Sequence, residues 1–283
     1  MLYNTLVNNA NGRTEMKNEI KRNDLTCHHA SFEPNLNAFH RHIHNGYELL
    51  FFVRGDADYI IESSVYSLRE NDLLLIRPRI FHYLKPKSQA VYERYVIHFP
   101  SELIPPYLFD FISSANNIYN IPKDSPIYRL YQNWNVADEL FSDEEMIDLA
   151  QTYVPQILTF LKNMPNKKDI KPSKENVTLQ KILRYIDEHP MDDINAEQLS
   201  AMFFMSTSWI IHSFRRDLGI NLMQYITKKK IMYAEELIKH GKSPTDAAKI
   251  CKYDSYVTFY RQYKKVLGHA PKDDFPSKRK KMQ

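Results

Sequence analysis

Glycine is scarce in this sequence, at six of 283 residues, and cysteine scarcer, at two, Cys27 and Cys251. The first scarcity excludes collagen-like and glycine-rich low-complexity chains. The second, with no C-x-x-C pairing, excludes a disulfide framework and a thiolate zinc site, and fits a reducing compartment. No window approaches the ~20 consecutive apolar residues that a bilayer span requires, and Met1 to Arg22 hold no apolar stretch of signal-peptide length. A cytoplasmic protein, neither exported nor membrane-embedded, is therefore expected. No phosphate loop, Ser/His/Asp or Cys/His order, or paired-carboxylate motif stands out either.

What is present suffices for packed cores. Hydrophobic residues make up 43%, aromatics 13% and charged residues 25%, and domains average about 100–150 residues, so two domains are expected. Net charge is +4, but residues 165–283 hold 23 Lys+Arg against 14 Asp+Glu, while residues 1–164 hold 15 against 20. A basic half beside an acidic one suits a molecule of which one part approaches a polyanion. Removing the tail Lys278-Arg279-Lys280-Lys281 still leaves the second half at +5.

Apolar and β-branched residues cluster in short runs between about residues 25 and 100. Tyr47–Val53, Ala57–Glu62, Val65–Leu68, Leu73–Ile76 and Val91–Phe99 read as strands, broken by Arg54-Gly55-Asp56, Ser63-Ser64, Glu70-Asn71-Asp72, Pro78 and Pro100. Many short strands in succession imply a sandwich or barrel. Helical spacing follows: Pro105-Pro106 opens a helix, then come Ile127–Phe141 and Glu144–Leu161, with a kink or break expected at Pro155. The stretch 165–175, rich in lysine and proline, is the expected linker between a domain over 1–164 and one over 176–276, with a basic tail at 277–283.

Beyond the linker the signals are helical. Leu179–Glu188 stops before Pro190; Asn195 with Gln198 forms a capping box opening Ala196–Phe204; Ser206 caps Thr207–Leu218; Asn221 caps Leu222–Lys239; Ser243-Pro244 precedes Thr245–Cys251; and Tyr256–Val266 closes the set. A short helix, a polar turn and a longer helix occur twice, as Ala196–Phe204 with Thr207–Leu218 and Thr245–Cys251 with Tyr256–Val266. This is helix-turn-helix patterning. In the first unit Thr207, Ser208, Trp209, Ile211, His212 and Arg215 form the face that would reach base edges and phosphates, with Ile210, Phe214 and Leu218 inward. In the second, Ser255, Tyr256, Thr258 and Arg261 hold the corresponding places, with Phe259 and Tyr263 in the core. The 18 residues of Leu222–Lys239 span about 27 Å, near the ~34 Å between successive major grooves. Lys228-Lys229-Lys230 on that helix read as a solvated face.

The segment 179–275 resembles the arabinose-operon regulator (AraC/XylS) transcription factors. The resemblance lies in Leu199-Ser200, Ser206, Phe214, Gly219, Tyr225-Ile226, Lys230-Ile231-Met232-Tyr233-Ala234 and Tyr263-Lys264-Lys265 with Gly268 and Pro271. It implies an α+β, two-domain regulator of promoter DNA: a cupin-like jelly roll with flanking helices that binds an effector or mediates dimerisation, then a helical domain with two helix-turn-helix units. A homodimer, a small-molecule effector such as a sugar, and RNA polymerase are the partners so implied, with no cofactor and no enzymatic activity. Three positions depart from the pattern: Ser200 for Ala, Ala247 for Ile, and Lys252-Tyr253 for Gly-Phe. Lysine in place of the turn glycine predicts an altered turn in the second unit.

In the first domain, His42-x-His44-x3-Glu48-x6-Gly55 resembles the first cupin motif, and His82, four residues after Pro78, supplies a fourth candidate. Imidazoles at i and i+2 on a strand point the same way, and two further groups would complete a divalent-metal site. The second motif is degenerate: Asn71 replaces its first glycine, Ile80 stands near its second, and Pro86 occupies the place of its final asparagine. Three readings of His42, His44, Glu48 and His82 therefore stay open: an effector pocket without metal, a metal site, or a structural remnant. Arg77, Tyr92, Arg94 and His98 are further pocket candidates; His40 is expected outside. The rival function is a metal-dependent cupin enzyme, an oxygenase or isomerase, joined to a helical domain.

Overall fold

The computed structural model describes residues 15–16, 20–22, 24–36, 41–115, 117–164 and 170–276. His40, residues 165–169 of the linker and the basic tail lie outside them. Among the described residues, those up to Glu175 form one compact unit and those from Asn176 a second.

The first unit is a cupin-like jelly roll of two antiparallel sheets. In chain order its strands are β1 (Glu15–Met16), β2 (Ile20–Arg22), β3 (Leu25–Phe32), β4 (Tyr47–Arg54), β5 (Ala57–Ile61), β6 (Ser64–Ser67), β7 (Asp72–Ile76), β8 (His82–Pro86), β9 (Tyr92–Phe99), β10 (Ile118–Asn120) and β11 (Lys174–Glu175). One sheet runs β1-β3-β9-β4-β7-β10, with β2 also paired to β3; the other runs β11-β6-β5-β8. Successive residues of a strand face opposite sides, and here both sides are covered. Leu49, Phe51, Tyr95, Ile97 and Phe99 pack against a helical layer, whereas Leu50, Phe52, Tyr92 and Val96 point at the second sheet. Gly55, at φ +135°, makes the turn after β4, where a Cβ would come within 3.1 Å of the Tyr92 backbone.

Strands β1, β2, β3 and β8 were not read individually, β10 falls in the stretch read as helical, and the linker reading needs one correction. The end of that stretch is a strand, with Ser173 N–H donating to Val65 O at 2.7 Å and Lys174 paired to Val65. Backbone pairing needs no apolar side chain, so composition does not signal it.

The helical layer consists of α1 (Phe109–Ser114), α2 (Pro126–Leu140) and α3 (Asp143–Asn163). The Pro105-Pro106 signal opens a 3₁₀ turn, Pro106–Leu108, ahead of α1. Ser142 and Glu145 cap α3 reciprocally. The helix continues through Pro155, where a kink or break was expected. Tyr153, Val154, Ile157 and Leu158 are all buried around it, and that packing outweighs the lost backbone bond.

The second unit contains α4 (Val177–Glu188), α5 (Ala196–Phe203), α6 (Thr207–Ser213), α7 (Leu222–Lys239), α8 (Pro244–Ile250) and α9 (Tyr256–Leu267). Asn195–Gln198 and Asn221–Gln224 form capping boxes, and the Ser206 and Ser243 hydroxyls accept from Trp209 and Asp246 N–H. The reading Thr207–Leu218 as one α-helix is modified: the α-helical part ends at Ser213 and a wider π-helical turn carries Phe214–Leu218 to Gly219. Around α7, Ile231, Ala234 and Ile238 pack with Ala247, Ala248, Cys251, Phe259 and Tyr263 into one core.

The turn at Lys252 is not altered, contrary to expectation. Lys252 adopts φ +55°, the left-handed conformation a glycine would take, and Tyr253 N–H donates to Ala248 O as in a Schellman cap. Phe204 does the same at φ +54° in the first unit, with Met205 N–H donating to Ser200 O. The Lys228–Lys230 reading is corrected too. Lys229 is buried and pairs with Asp187 of α4 at 2.7 Å while lying over the Tyr225 ring. Helix packing, which one helix's sequence does not reveal, turns this residue inward.

Candidate effector pocket and nucleic-acid interface

Strand register arranges the polar interior of the jelly roll in rungs. Thr26, His98, Glu48 and Ile76 lie across β3, β9, β4 and β7; the next inward rung is His28, Val96, Leu50 and Leu74; the next is Ala30, Arg94 and Phe52. His29, one residue after His28, faces the other way, where it lies 3.1 Å from Glu93 and stacks on Tyr95.

Glu48 is the hub. Its Oε2 lies 3.1 Å from His44 Nε2, 3.1 Å from His82 Nε2 and 3.0 Å from His98 Nε2, and its Oε1 accepts from Tyr59 Oη at 3.2 Å. The segment carrying His42 is held by paired backbone bonds to His82, and the two rings meet edge-on at 4.1 Å. Ligating atoms of His42, His44, Glu48 and His82 all lie within 4.8 Å of one another. Burial raises the Glu48 carboxyl, but His82, His98 and the hydrogen bonds from His44 and His82 overcome it and hold it well below the usual range. Burial pushes His82 down against the opposing pull of Glu48.

The second ring nitrogens decide the chemistry. His44 Nδ1 lies 2.8 Å from Gly46 O, and His82 Nδ1 lies 2.8 Å from Ile80 O. A carbonyl only accepts, so each Nδ1 carries a proton. In a neutral imidazole the Nε2 is then a bare acceptor facing a carboxylate oxygen, and a cation must sit between them, either a second imidazole proton or a metal ion. Fixing the far nitrogen on a carbonyl is also how metal-ligating histidines are oriented. His98, which the sequence offered only as a possible liner, joins the hub. Tyr92 and Arg94 lie on the same inward face, whereas Arg77 is drawn away to donate to Ala115 O at 2.7 Å. His28 was missed. Burial and the Arg94 charge push its imidazole down to about 3, so it is neutral near pH 7.

In the second unit, α6 buries Ile210 and Ser213, with Phe214 just beyond; Ser208 and His212 on α6 and Arg215 on the π-helical turn after it are exposed, and Thr207, Trp209 and Ile211 are half-buried. The neighbouring Arg216 is exposed but clamped by both Asp217 oxygens, at 2.7 and 2.8 Å. On α9, Phe259 and Tyr263 are sealed in the core. Tyr256, Val257, Tyr260, Arg261 and Lys264 face outward, Ser255 is exposed just ahead of the helix, and Thr258 is half-buried off the outward stripe. Val257 and Tyr260 were not singled out from the sequence; the i, i+3, i+4 spacing from Tyr256 and Val257 would have found them.

Family models match both units: one described as an AraC-like ligand binding domain over residues 24–142, the other as a helix-turn-helix domain over residues 199–275. The chain is 26% identical over 98 residues to the probable transcriptional regulator LumQ of Photobacterium leiognathi, a match covering 34% of this chain and 40% of LumQ. It is 23% identical over 250 residues to the uncharacterized HTH-type transcriptional regulator YdiP of Escherichia coli, covering 82% of this chain and 79% of YdiP. Among solved structures it is similar to ToxT from Vibrio cholerae O395, at 15% identity and a TM-score of 0.39, over 89% of this chain and 97% of that one. With a ligand-binding unit and a helix-turn-helix unit both matched, the chain belongs to the AraC family of transcriptional regulators.

Proposed function

We propose that this protein is a cytoplasmic regulator, not an enzyme, that binds promoter DNA through α6 and α9 and answers to a small molecule held between the jelly-roll sheets. The observation that carries the reading is that Ser208 and His212 on α6 and Arg215 on the turn after it are exposed while Ile210, Ser213 and Phe214 are sealed. Hydroxyl, imidazole and guanidinium groups on the first turns of a recognition helix suit base edges and phosphates. Thr207, Trp209 and Ile211 flank the contact, and Ser255, Tyr256, Thr258 and Arg261 serve the second unit together with Val257 and Tyr260. The test is binding of genomic promoter fragments selected by the wild-type protein. His212→Ala should lose at least about tenfold in specific affinity, on the scale of one base contact. Arg215→Ala should also lower the salt slope by about 1. Unchanged affinity in both variants would refute the assignment.

His42, His44, Glu48 and His82, with His98, form the polar wall of the effector pocket in this reading. A second reading, a divalent metal held by these residues, is favoured by the His44 and His82 rings, each fixed on a carbonyl through Nδ1 while its Nε2 converges on Glu48. Such a metal would supply a Lewis-acidic anchor for an oxygen-bearing effector. Elemental analysis of the purified protein separates the two readings: a stoichiometric transition metal lost on His42→Ala and His82→Ala supports the metal.

The protein is read as a homodimer joined through the helical layer. Val136 and Leu140 of α2 and the adjoining Phe141 are exposed, Leu140 at 72%, and an apolar stripe on a helix is covered at low cost by its copy. RNA polymerase is the further partner expected of a promoter-bound regulator.

A further inference from the structure

Inside the jelly roll, beyond the Glu48 hub, Arg94 Nε and His28 Nδ1 are buried with no hydrogen-bond partner, and the Tyr92 hydroxyl has the Arg94 guanidinium as its neighbour. All three side chains point inward from β3 and β9, between the sheets. Their apolar neighbours Leu50, Phe52 and Val96 are sealed, at 2% exposure or less, yet Arg94 and His28 keep accessible surface. These inward-facing side chains can therefore be reached from solvent. Among the described residues no carboxylate forms an ion pair with Arg94. Glu48 acts on it through space, but the Glu48 oxygens are engaged by His44, His82, His98 and Tyr59. An unpaired guanidinium between two sheets is costly to keep, and its flat fork matches an oxyanion in bidentate geometry.

We infer that the effector is an anion whose carboxylate or phosphate group docks on Arg94, with His28 and Tyr92 closing around it. This rests on reading the jelly-roll interior as the effector pocket, and adds the charge of what enters it. His28 serves as a neutral hydrogen-bonding group, leaving Arg94 as the cation at that end. The Glu48 hub, on the next rungs, meets the remainder of the ligand.

The test uses the full chain in thermal-shift and calorimetric titrations with benzoate, octanoate, succinate and inorganic phosphate, against benzamide, octanamide, succinamide and glucose. At least one anion should raise the melting temperature while its neutral counterpart does not. Arg94→Met should weaken that binding by about 30-fold or more, the scale for truncating one side of a buried charge pair. It should also raise the melting temperature of the protein without added ligand, because an unpaired charge is gone. Arg94→Lys, which keeps the charge without the fork, should bind between the two, and serves should Arg94→Met not fold. A response to phosphate alone assigns the anion as phosphate; a response to carboxylates alone assigns an organic acid. Binding of glucose or the amides with no response to any anion overturns the inference and leaves the effector pocket standing. An anion response unchanged by either Arg94 substitution overturns it as well, and silence to every compound tested counts against it and the pocket together.

Discussion

At the scale of single residues, both helix-turn-helix turns place a side chain where glycine fits best. Phe204 and Lys252 sit at φ +54° and +55°, and Phe204 is 92% exposed, so its ring gains little from packing. The left-handed conformation costs a residue with a Cβ about 1–2 kcal/mol, partly offset because glycine also loosens the unfolded chain. Phe204→Gly and Lys252→Gly should each raise stability by about 0.5–1 kcal/mol, read as a higher midpoint in urea melts; a lower midpoint would show that these side chains make stabilising contacts. His28 and His98 show why part of the candidate pocket was illegible. Their strands are covered on both faces, so the in-and-out alternation that marks a half-exposed strand is missing, and only register shows which histidine points inward. His42, His44, Glu48 and His82 were legible because their spacing carries a motif.

At the scale of elements, sequence signals worked best where a side chain satisfies its own backbone. The caps at Asn195, Ser206, Asn221 and Ser243 mark four helix starts to within a residue, since hydroxyls and amides there accept from free N–H groups. Ser206→Ala should cost about 1 kcal/mol, measured by denaturation. What one element does to another was less legible. The bond from Lys229 on α7 to Asp187 on α4 appears in no local pattern. Lys229→Ala strips the partner from a half-buried carboxylate and should destabilise by about 1.5–3 kcal/mol, whereas a solvated lysine would leave the melting midpoint unmoved.

For the whole molecule, the charge asymmetry between the halves and the change from strand to helix signals already implied two parts with different tasks. The proposed homodimer turns on the helical layer. Leu140→Glu puts a charge into the exposed apolar stripe on α2 and should shift the protein towards monomer in light scattering at micromolar concentration, without lowering its melting temperature. An unchanged mass would place any dimer contact elsewhere.

The central claim, that α6 lies in one major groove and α9 in the next, can be tested directly because the native thiols are quiet. Cys27 and Cys251 are fully buried, and burial pushes both thiols up to about 12, with Asp138 and Asp143 adding to the effect at Cys27. A thiol introduced by His212→Cys or Tyr260→Cys can thus be tagged selectively with a DNA-cleaving iron chelate. On a bound promoter fragment, each tag should cut within one major groove per bound subunit, the loci of the two tags within a half-site separated by about 10 base pairs along the same side of the duplex. Cuts scattered along the fragment, or a single locus shared by both tags, would contradict the account.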